Sequence, residues 1–133
     1  MSSNLSKSVL AWYKKNGRNN LPWKVNDPYK IWISEIMLQQ TQVNTVIPYY
    51  LKFIKKYPNL KSLASAELDD LMLIWSGLGY YRRIKNIHLS SQIIAREHNY
   101  NFPHKYDDIL SLPGIGRTTA SAISTFSGFS NKA

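Results

Sequence analysis

The chain has 133 residues and a formal net charge of +9, with 17 lysines and arginines against eight aspartates and glutamates. Its residues are 44% hydrophobic and 13% aromatic, which is enough for the core of one domain and excludes a disordered tail. It contains no cysteine, which excludes disulfides and any zinc or iron–sulfur site held by cysteines of this chain.

Taken in chain order, the apolar residues recur at three- and four-residue spacing, which predicts helix after helix and no strand. Turns that contain glycine, proline or asparagine separate these stretches. The predicted helices cover residues 5–16, 28–38, 43–56, 66–75, 80–98, 106–110 and 118–127. This pattern predicts an all-α fold.

Four residues mark boundaries or bends in these helices. Asp27 is a predicted N-cap, because its carboxylate can accept a backbone N–H group and Pro28 suits the first turn of the second helix. Ser65 is the predicted N-cap of the short fourth helix. Pro48 lies inside the third helix and should kink it.

The charge and the apolar pattern limit where the protein acts. The positive charge favours a polyanionic partner, either nucleic acid or an anionic membrane, although a solvated basic surface without a partner carries the same charge. Residues 1–6 lack the segments of a secretory signal. The longest apolar stretch, residues 31–38, is interrupted by Ser34 and Glu35 and is too short to span a bilayer. We therefore expect a soluble, cytoplasmic protein.

A glycine turn precedes the last predicted helix. Gly114 and Gly116 let the backbone turn tightly, and Ile115 between them can pack inward. Backbone N–H groups at such a helix start can bind a phosphate, here beside Arg117 and Thr118. With the preceding Leu-Pro pair, this pattern is typical of the hairpin in helix-hairpin-helix DNA-binding proteins, although an ordinary capped turn has a similar pattern.

A second glycine turn leads into an aromatic and basic run. Tyr80 and Tyr81 are followed by Arg82, Arg83 and Lys85. The basic residues are expected to contact phosphates, and the tyrosines to stack or wedge against bases. The alternative is that one tyrosine packs in the core while the basic residues are solvated.

Glu35 lies in an apolar stretch of the second predicted helix. Its neighbours at helical spacing are Ile31, Trp32, Leu38 and Gln39, so it does not lie on a solvated salt-bridge face. A carboxyl desolvated there has a raised pKa, which suits a general acid. The alternative is a structural glutamate that reaches a helix cap or the edge of the core.

Three glutamines, Gln39, Gln40 and Gln42, lie close together at the end of this helix. Their amides can fill a hole in a base stack or hydrogen-bond base edges, or they can simply cap the helix end. The three histidines have no metal-ligand spacing and no acidic cluster beside them, so we expect no metal site.

These motifs, in this order and spacing, resemble the opening of MutY-type adenine DNA glycosylases, of the helix-hairpin-helix or endonuclease III superfamily. The similarity runs from about residue 10 to about residue 125. It is carried by residues 21–23, 27–30, 34–42, 46–49, 75–81 and 112–117. The resemblance implies a helix-hairpin-helix DNA glycosylase fold and base excision repair of adenine mispaired with 8-oxoguanine or guanine.

The resemblance also implies roles for individual residues. Glu35 matches the catalytic acid that protonates the flipped adenine, and Trp23 matches a residue near the adenine pocket. Gln40 matches a residue that fills the base stack around the oxidised guanine, and Tyr80 matches the tyrosine that wedges beside it. The two hairpin glycines match a phosphate grip. The expected DNA-binding residues are Gln39, Gln40, Tyr80, Tyr81, Arg82, Gly114, Gly116, Arg117 and Thr118.

Thr118 stands where endonuclease III-type enzymes have the lysine that forms a Schiff base with the sugar, so we expect no strong strand-cleaving activity. Intact family members are expected to hold a 4Fe–4S cluster, which this chain cannot bind because it has no cysteine. The expected partner is double-stranded DNA with an adenine mispair, bound by a monomer in the bacterial cytosol or nucleoid, with no membrane involved.

In the family, an aspartate in a Leu-Asp-Gly segment stabilises the sugar cation, and the resemblance places it a few residues beyond Ala133. The cluster cysteines and a C-terminal domain would follow. We therefore expect residues 1–133 to form a single incomplete glycosylase domain, a truncated six-helix-barrel portion with its hairpin motif at about residues 106–127, inactive alone. The alternatives are a non-catalytic DNA-binding remnant, a glycosylase for another mispaired base such as thymine, and an unrelated helical interaction protein.

Overall fold

The structure, a computed structural model, describes residues 26–128. Every regular element in this range is an α-helix, so the all-α prediction is confirmed for it. The helices are α1 (Pro28–Leu38), α2 (Val43–Lys56), α3 (Leu60–Ala64), α4 (Leu68–Ile74), α5 (Arg82–His98), α6 (Tyr106–Leu110) and α7 (Arg117–Ser127). Trp23 and the helix predicted over residues 5–16 lie outside the described residues.

Helix α1 lies at the centre of the core. Asp27 caps it as predicted, because its side chain accepts the N–H of Tyr29 at 2.9 Å and Pro28 occupies the first turn. All side chains of residues 31–38 are buried. A helix that is buried on every face belongs to the interior of a protein, and α1 packs against α2, α5 and α7.

Aromatic side chains join α1 and α2 to the helices around them. The hydroxyl of the buried Tyr29 donates to the carbonyl oxygen of Tyr57, directly after α2. The rings of Phe53 and Trp75 pack edge to face at 6.3 Å between centroids. Across residues 26–128, no helix is both long enough and apolar enough to cross a membrane.

The prediction for Ser65 is wrong. Ser65 follows α3, a helix that the periodicity did not reveal, and its Oγ donates to the carbonyl of Lys61 at 2.9 Å. Asn59 begins α3, because its side chain accepts the N–H of Ser62 at 2.9 Å while Ser62 Oγ accepts the N–H of Asn59. This capping box has serine in the place of the usual Glu or Gln, and five residues are too few to show a helical period. The N-cap of α4 is Glu67.

Helix α5 begins at Arg82, with Tyr81 as its N-cap. A start at Tyr80 is excluded because Tyr80 has a left-handed backbone conformation, with φ +52°. The preceding turn folds back over the buried Trp75, whose indole Nε1 donates to the carbonyl of Gly79 at 3.0 Å. This turn therefore has a fixed position relative to the core.

We expect Tyr29→Phe to lower the free energy of unfolding by about 1–3 kcal/mol, because it leaves the buried Tyr57 carbonyl without this donor. Urea unfolding followed by circular dichroism measures the change. Tyr100→Phe is the matched control, because Tyr100 is 42% exposed, and its effect should stay within about 0.5 kcal/mol. Equal effects at both positions would contradict the role assigned to the Tyr29 hydroxyl.

Candidate active site

Glu35 lies in the middle of α1 and is turned into the protein. The residue is 6% exposed, and its Oε2 has no hydrogen-bond partner within residues 26–128. Burial raises the pKa of this carboxyl from 4.5 to about 7. A carboxyl with that pKa is partly protonated at neutral pH, as a general acid must be. The desolvation that the apolar neighbours of Glu35 predict is therefore confirmed.

Beside Glu35 is a cavity of about 450 Å³, which we call the Glu35 cavity. Its volume falls in the range of ligand pockets, about 300–1,000 Å³. The lining residues are Glu35, Arg117, Thr118, Ser121, Ala122, Thr125 and Phe126. The cavity therefore brings the predicted acid together with two predicted DNA-binding residues, Arg117 and Thr118, from the start of α7.

The hairpin between α6 and α7 is anchored from two directions. Ile115 is buried, as predicted, and Ser90 Oγ of α5 donates to the carbonyl of Pro113 at 3.1 Å. Gly114 has φ +82°, and a Cβ atom there would lie 3.0 Å from the side chain of Asn86. Both the backbone conformation and this close approach favour glycine.

The start of α7 offers unpaired backbone donors. Gly116 is the N-cap residue and supplies no capping side chain, and the first turn contains no acidic residue. The first N–H groups of a helix have no partner inside the helix and lie at the positive end of its dipole. Arg117 and Thr118 are exposed beside them. This is an arrangement that binds phosphate.

Helix α1 also borders a second cavity, of about 350 Å³, which we call the Tyr80 cavity. Five of the predicted DNA-binding residues line it, namely Gln39, Gln40, Tyr80, Arg82 and Gly114. The other lining residues are Trp32, Ile36, Arg83, Asn86, Ile87 and Pro113. The cavity thus brings together the turn after α1, the turn before α5 and the hairpin. The remaining two predicted residues, Tyr81 and Gly116, line neither cavity.

The two tyrosines have different surroundings. Tyr80 is 60% exposed, and Tyr81 is 38% exposed. The Tyr81 hydroxyl accepts the N–H of Gly77 at 3.2 Å, which ties its ring to the turn before α5. Because neither tyrosine is buried, the alternative in which one of them packs in the core is wrong.

The two glutamines at the end of α1 also differ. Gln39 is partly buried, and its Nε2 donates to Thr119 Oγ1 at 3.1 Å, so that it joins α1 to α7. Gln40 is exposed and has a left-handed backbone conformation, with φ +59°. Of this pair, Gln40 presents its side chain to solvent, whereas Gln39 makes an internal contact.

The phosphate-binding prediction for Arg83 is wrong. Arg83 is only 8% exposed, and its Nη1 donates to the carbonyl oxygens of Ile36, Met37 and Gln39 at 2.8, 2.8 and 2.7 Å. It therefore donates to carbonyls at the end of α1, where a helix leaves its last carbonyls short of partners; the Ile36 carbonyl also accepts the N–H of Gln39. The spacing in the sequence indicates this burial, because Arg83 lies four residues before the apolar Ile87 and so shares the buried face of α5.

The described part of the chain offers no preassembled metal site. Within residues 26–128, no group of three or more His, Cys, Asp or Glu residues is placed to hold a metal ion. The chain has no cysteine, so its residues do not fit a 4Fe–4S cluster.

A buried acid beside a helix-hairpin-helix motif is the arrangement expected of a DNA glycosylase. Residues 33–128 match the HhH-GPD superfamily of base excision DNA repair proteins, and the chain belongs to this family. The adenine DNA glycosylase of Buchnera aphidicola subsp. Acyrthosiphon pisum (strain APS) is 55% identical over 123 residues, which are 92% of this chain and 35% of that protein. The chain spans about a third of the length of this and two other Buchnera relatives.

Two solved structures share the fold. The structure of a thermostable thymine-DNA glycosylase has a TM-score of 0.77 at 23% identity, over 96% of this chain and 59% of that one. A trapped covalent intermediate of endonuclease III with DNA has a TM-score of 0.72 at 17% identity, over 92% of this chain and 60% of that one. The expected helix-hairpin-helix glycosylase fold is confirmed.

We expect Glu35→Gln to stabilise the protein above about pH 7 and to have little such benefit below about pH 4.5. The folded carboxyl keeps its proton up to about pH 7, whereas the unfolded one loses it near pH 4.5. The wild-type chain therefore loses about 3 kcal/mol of stability, relative to the neutral variant, as the pH rises through this window.

Urea unfolding of both proteins across this pH window measures the difference. Glu67→Gln is the matched control, because Glu67 is exposed and its side chain makes no cap hydrogen bond. Stability curves of wild type and Glu35→Gln that run parallel with pH would contradict the raised pKa.

Proposed function

We propose that this chain is part of an adenine DNA glycosylase that removes adenine mispaired with 8-oxoguanine or guanine from duplex DNA. The observation that carries the proposal is the position of Glu35, a buried carboxyl with a pKa of about 7 that lines a cavity beside the hairpin helix. The 55% identity to a curated adenine DNA glycosylase supports adenine as the base.

The target base must leave the duplex before its glycosidic bond can be reached. The Glu35 cavity, of about 450 Å³, is the proposed receiving pocket. The exposed residues Thr118, Ser121 and Thr125, which carry hydroxyls, and the half-buried Phe126 line it together with Glu35. Such a mixture of apolar and polar lining suits a planar heterocycle with hydrogen-bonding edges.

Glu35 acts as the general acid in this scheme. Its proton passes to a ring nitrogen of adenine while the N-glycosidic bond breaks, and the electron pair of that bond leaves with the base. The sugar becomes an oxocarbenium cation, to which water adds. Within residues 26–128, Glu35 is the one acidic residue that lines the cavity, and its carboxylate then takes up the proton that the attacking water releases. The resemblance assigns a further carboxylate beside the cation to an aspartate outside these residues.

The duplex is held mainly through its phosphates. The start of α7, with exposed Arg117 and Thr118, supplies a backbone anion site, and the net charge of +9 adds attraction that does not depend on sequence. Gln40 and Tyr80 contact the base opposite the adenine in this scheme, which is supported by their shared cavity and by the resemblance. We propose a monomer in the bacterial cytosol or nucleoid, with any cluster cysteines supplied by chain outside these 133 residues.

We expect the full natural chain that carries these residues to release adenine from a duplex with an 8-oxoguanine:adenine pair under single-turnover conditions. Glu35→Gln should lower that rate by about a hundredfold to ten-thousandfold, the usual contribution of general acid catalysis. The wild-type rate should fall as the pH rises above about 7, because the acid form is then lost. Gel separation after alkaline cleavage of the abasic product measures release.

Glu67→Gln is the control, because Glu67 is the exposed N-cap residue of α4. It should leave the rate of adenine release unchanged. Release of thymine in preference to adenine would establish the thymine alternative. Salt-sensitive duplex binding without release of either base would establish a non-catalytic DNA-binding protein. Either of these two results would reject the proposal.

We also expect no covalent adduct between this protein and abasic DNA after borohydride reduction. Thr118 lines the Glu35 cavity and has no amine to form a Schiff base with the sugar aldehyde. Denaturing electrophoresis detects the adduct, and Thr118→Lys, which adds an amine at the same position, is the positive comparison. An adduct formed by the wild-type chain at the level of the variant would show another nucleophile.

A further inference from the structure

One guanidinium contacts both of the turns that flank the Tyr80 cavity. Arg83 Nη1 donates to the carbonyl of Gln39 at 2.7 Å, and Arg83 Nη2 donates to the carbonyl of Gly79 at 3.2 Å. The residue after each carbonyl is one of the two proposed base-contacting residues, Gln40 and Tyr80. The same side chain therefore holds the peptide group directly before each of them.

Both of these residues have a left-handed backbone conformation, with φ +59° at Gln40 and φ +52° at Tyr80. Such a conformation costs about 1–3 kcal/mol for a residue with a side chain and persists only where the surroundings hold it. Arg83 restrains both turns, because it donates one hydrogen bond to the carbonyl of Gln39 and another to the carbonyl of Gly79.

Two aromatic rings contact the guanidinium of Arg83. Its central carbon lies 5.3 Å from the ring centre of Trp75 and 5.4 Å from that of Tyr80. Trp75 is fully buried and Tyr80 is 60% exposed, so the guanidinium contacts one ring of the core and one ring at the surface. The ring of Tyr80 is thus positioned together with its backbone.

We propose that Arg83 is a positioning residue that couples Gln40 and Tyr80, so that the two contact the base opposite the excised adenine as one unit. This inference rests on the proposed function. It goes beyond a helix cap, because a cap needs only the three carbonyls at the end of α1, whereas Arg83 also bonds the separate turn at Gly79.

Arg83→Lys tests the coupling, because an ammonium keeps the charge and loses the planar set of donors that reaches both turns. In the full natural chain, we expect the ratio of adenine release from 8-oxoguanine:adenine over guanine:adenine duplexes to fall by about tenfold to a hundredfold. The pH midpoint of the rate should not move. A merely structural loss would lower both rates together and leave their ratio unchanged, which would overturn the proposal.

Arg96→Lys is the matched control on the same helix. The Arg96 side chain is 65% exposed, and its nearest acidic partner, Glu97, is 3.6 Å away. Its substitution should leave the ratio unchanged. A double-mutant cycle then tests the route: Tyr80→Ala should lower the ratio, and adding Arg83→Lys should lower it little further. Fully additive losses would show that Arg83 does not act through Tyr80.

The two proposals fail in distinguishable ways. If the wild-type chain releases no adenine, the proposed function fails. The role of Arg83 is then tested by binding: the affinity for mispaired duplex is divided by that for fully paired duplex, in wild type and in Arg83→Lys. A wild-type preference that Arg83→Lys leaves intact overturns the coupling alone. A wild-type chain with neither release nor preference overturns both.

Where Arg83→Lys does not fold, nitrogen-15 NMR of the arginine side chains in the unmodified chain gives the answer. The Nη protons of Arg83 should be separate and slowly exchanging, and they should shift when a mispaired duplex binds. Those of Arg96 should be averaged and unchanged. Arg83 signals that do not respond to mispaired DNA would overturn the proposal.

Discussion

The burial of residues 31–38 of α1 is the constraint on which the rest of the structure depends. A helix end that is buried in this way must satisfy its carbonyls inside the protein, and Arg83 donates to three carbonyls at the end of α1. The same burial removes water from Glu35 and raises the pKa of its carboxyl. The burial of α1 therefore accounts both for the cap that Arg83 forms at its end and for the raised pKa of Glu35.

Helix α1 also separates two kinds of chemistry. Trp32, Ile36 and Gln39, spaced at four and three residues, line the Tyr80 cavity, whereas Glu35 lines the other. Glu35 and Ile36 are adjacent in the sequence and lie about 100° apart around the helix, so their side chains border different cavities. The two cavities thus share one helix, α1, as part of their walls, and the turns at Gln40 and Tyr80 complete the Tyr80 cavity.

How far the sequence predicts this arrangement depends on how local each interaction is. The Asp27 cap, the burial of Glu35 and the hairpin at Gly114 were predictable, because each follows from neighbours within a few positions. The partners of Arg83 were not, because these carbonyls at the end of α1 lie 44 to 47 residues earlier in the chain. Ser65 was misassigned because a serine can begin or end a helix, and only the capping box of the preceding short helix decides between them.

Three features that do not favour stability lie at the two cavities. Glu35 has a buried oxygen without a hydrogen-bond partner in the described part of the chain, and Gln40 and Tyr80 hold left-handed conformations. Local departures of this kind persist at functional sites because the surrounding fold holds them. The proposed phosphate site at the start of α7 needs no such strain, since any helix start offers the same N–H groups. Under the proposed function, discrimination between bases depends on backbone conformation as well as on side-chain identity, and the buried Arg83 becomes part of it.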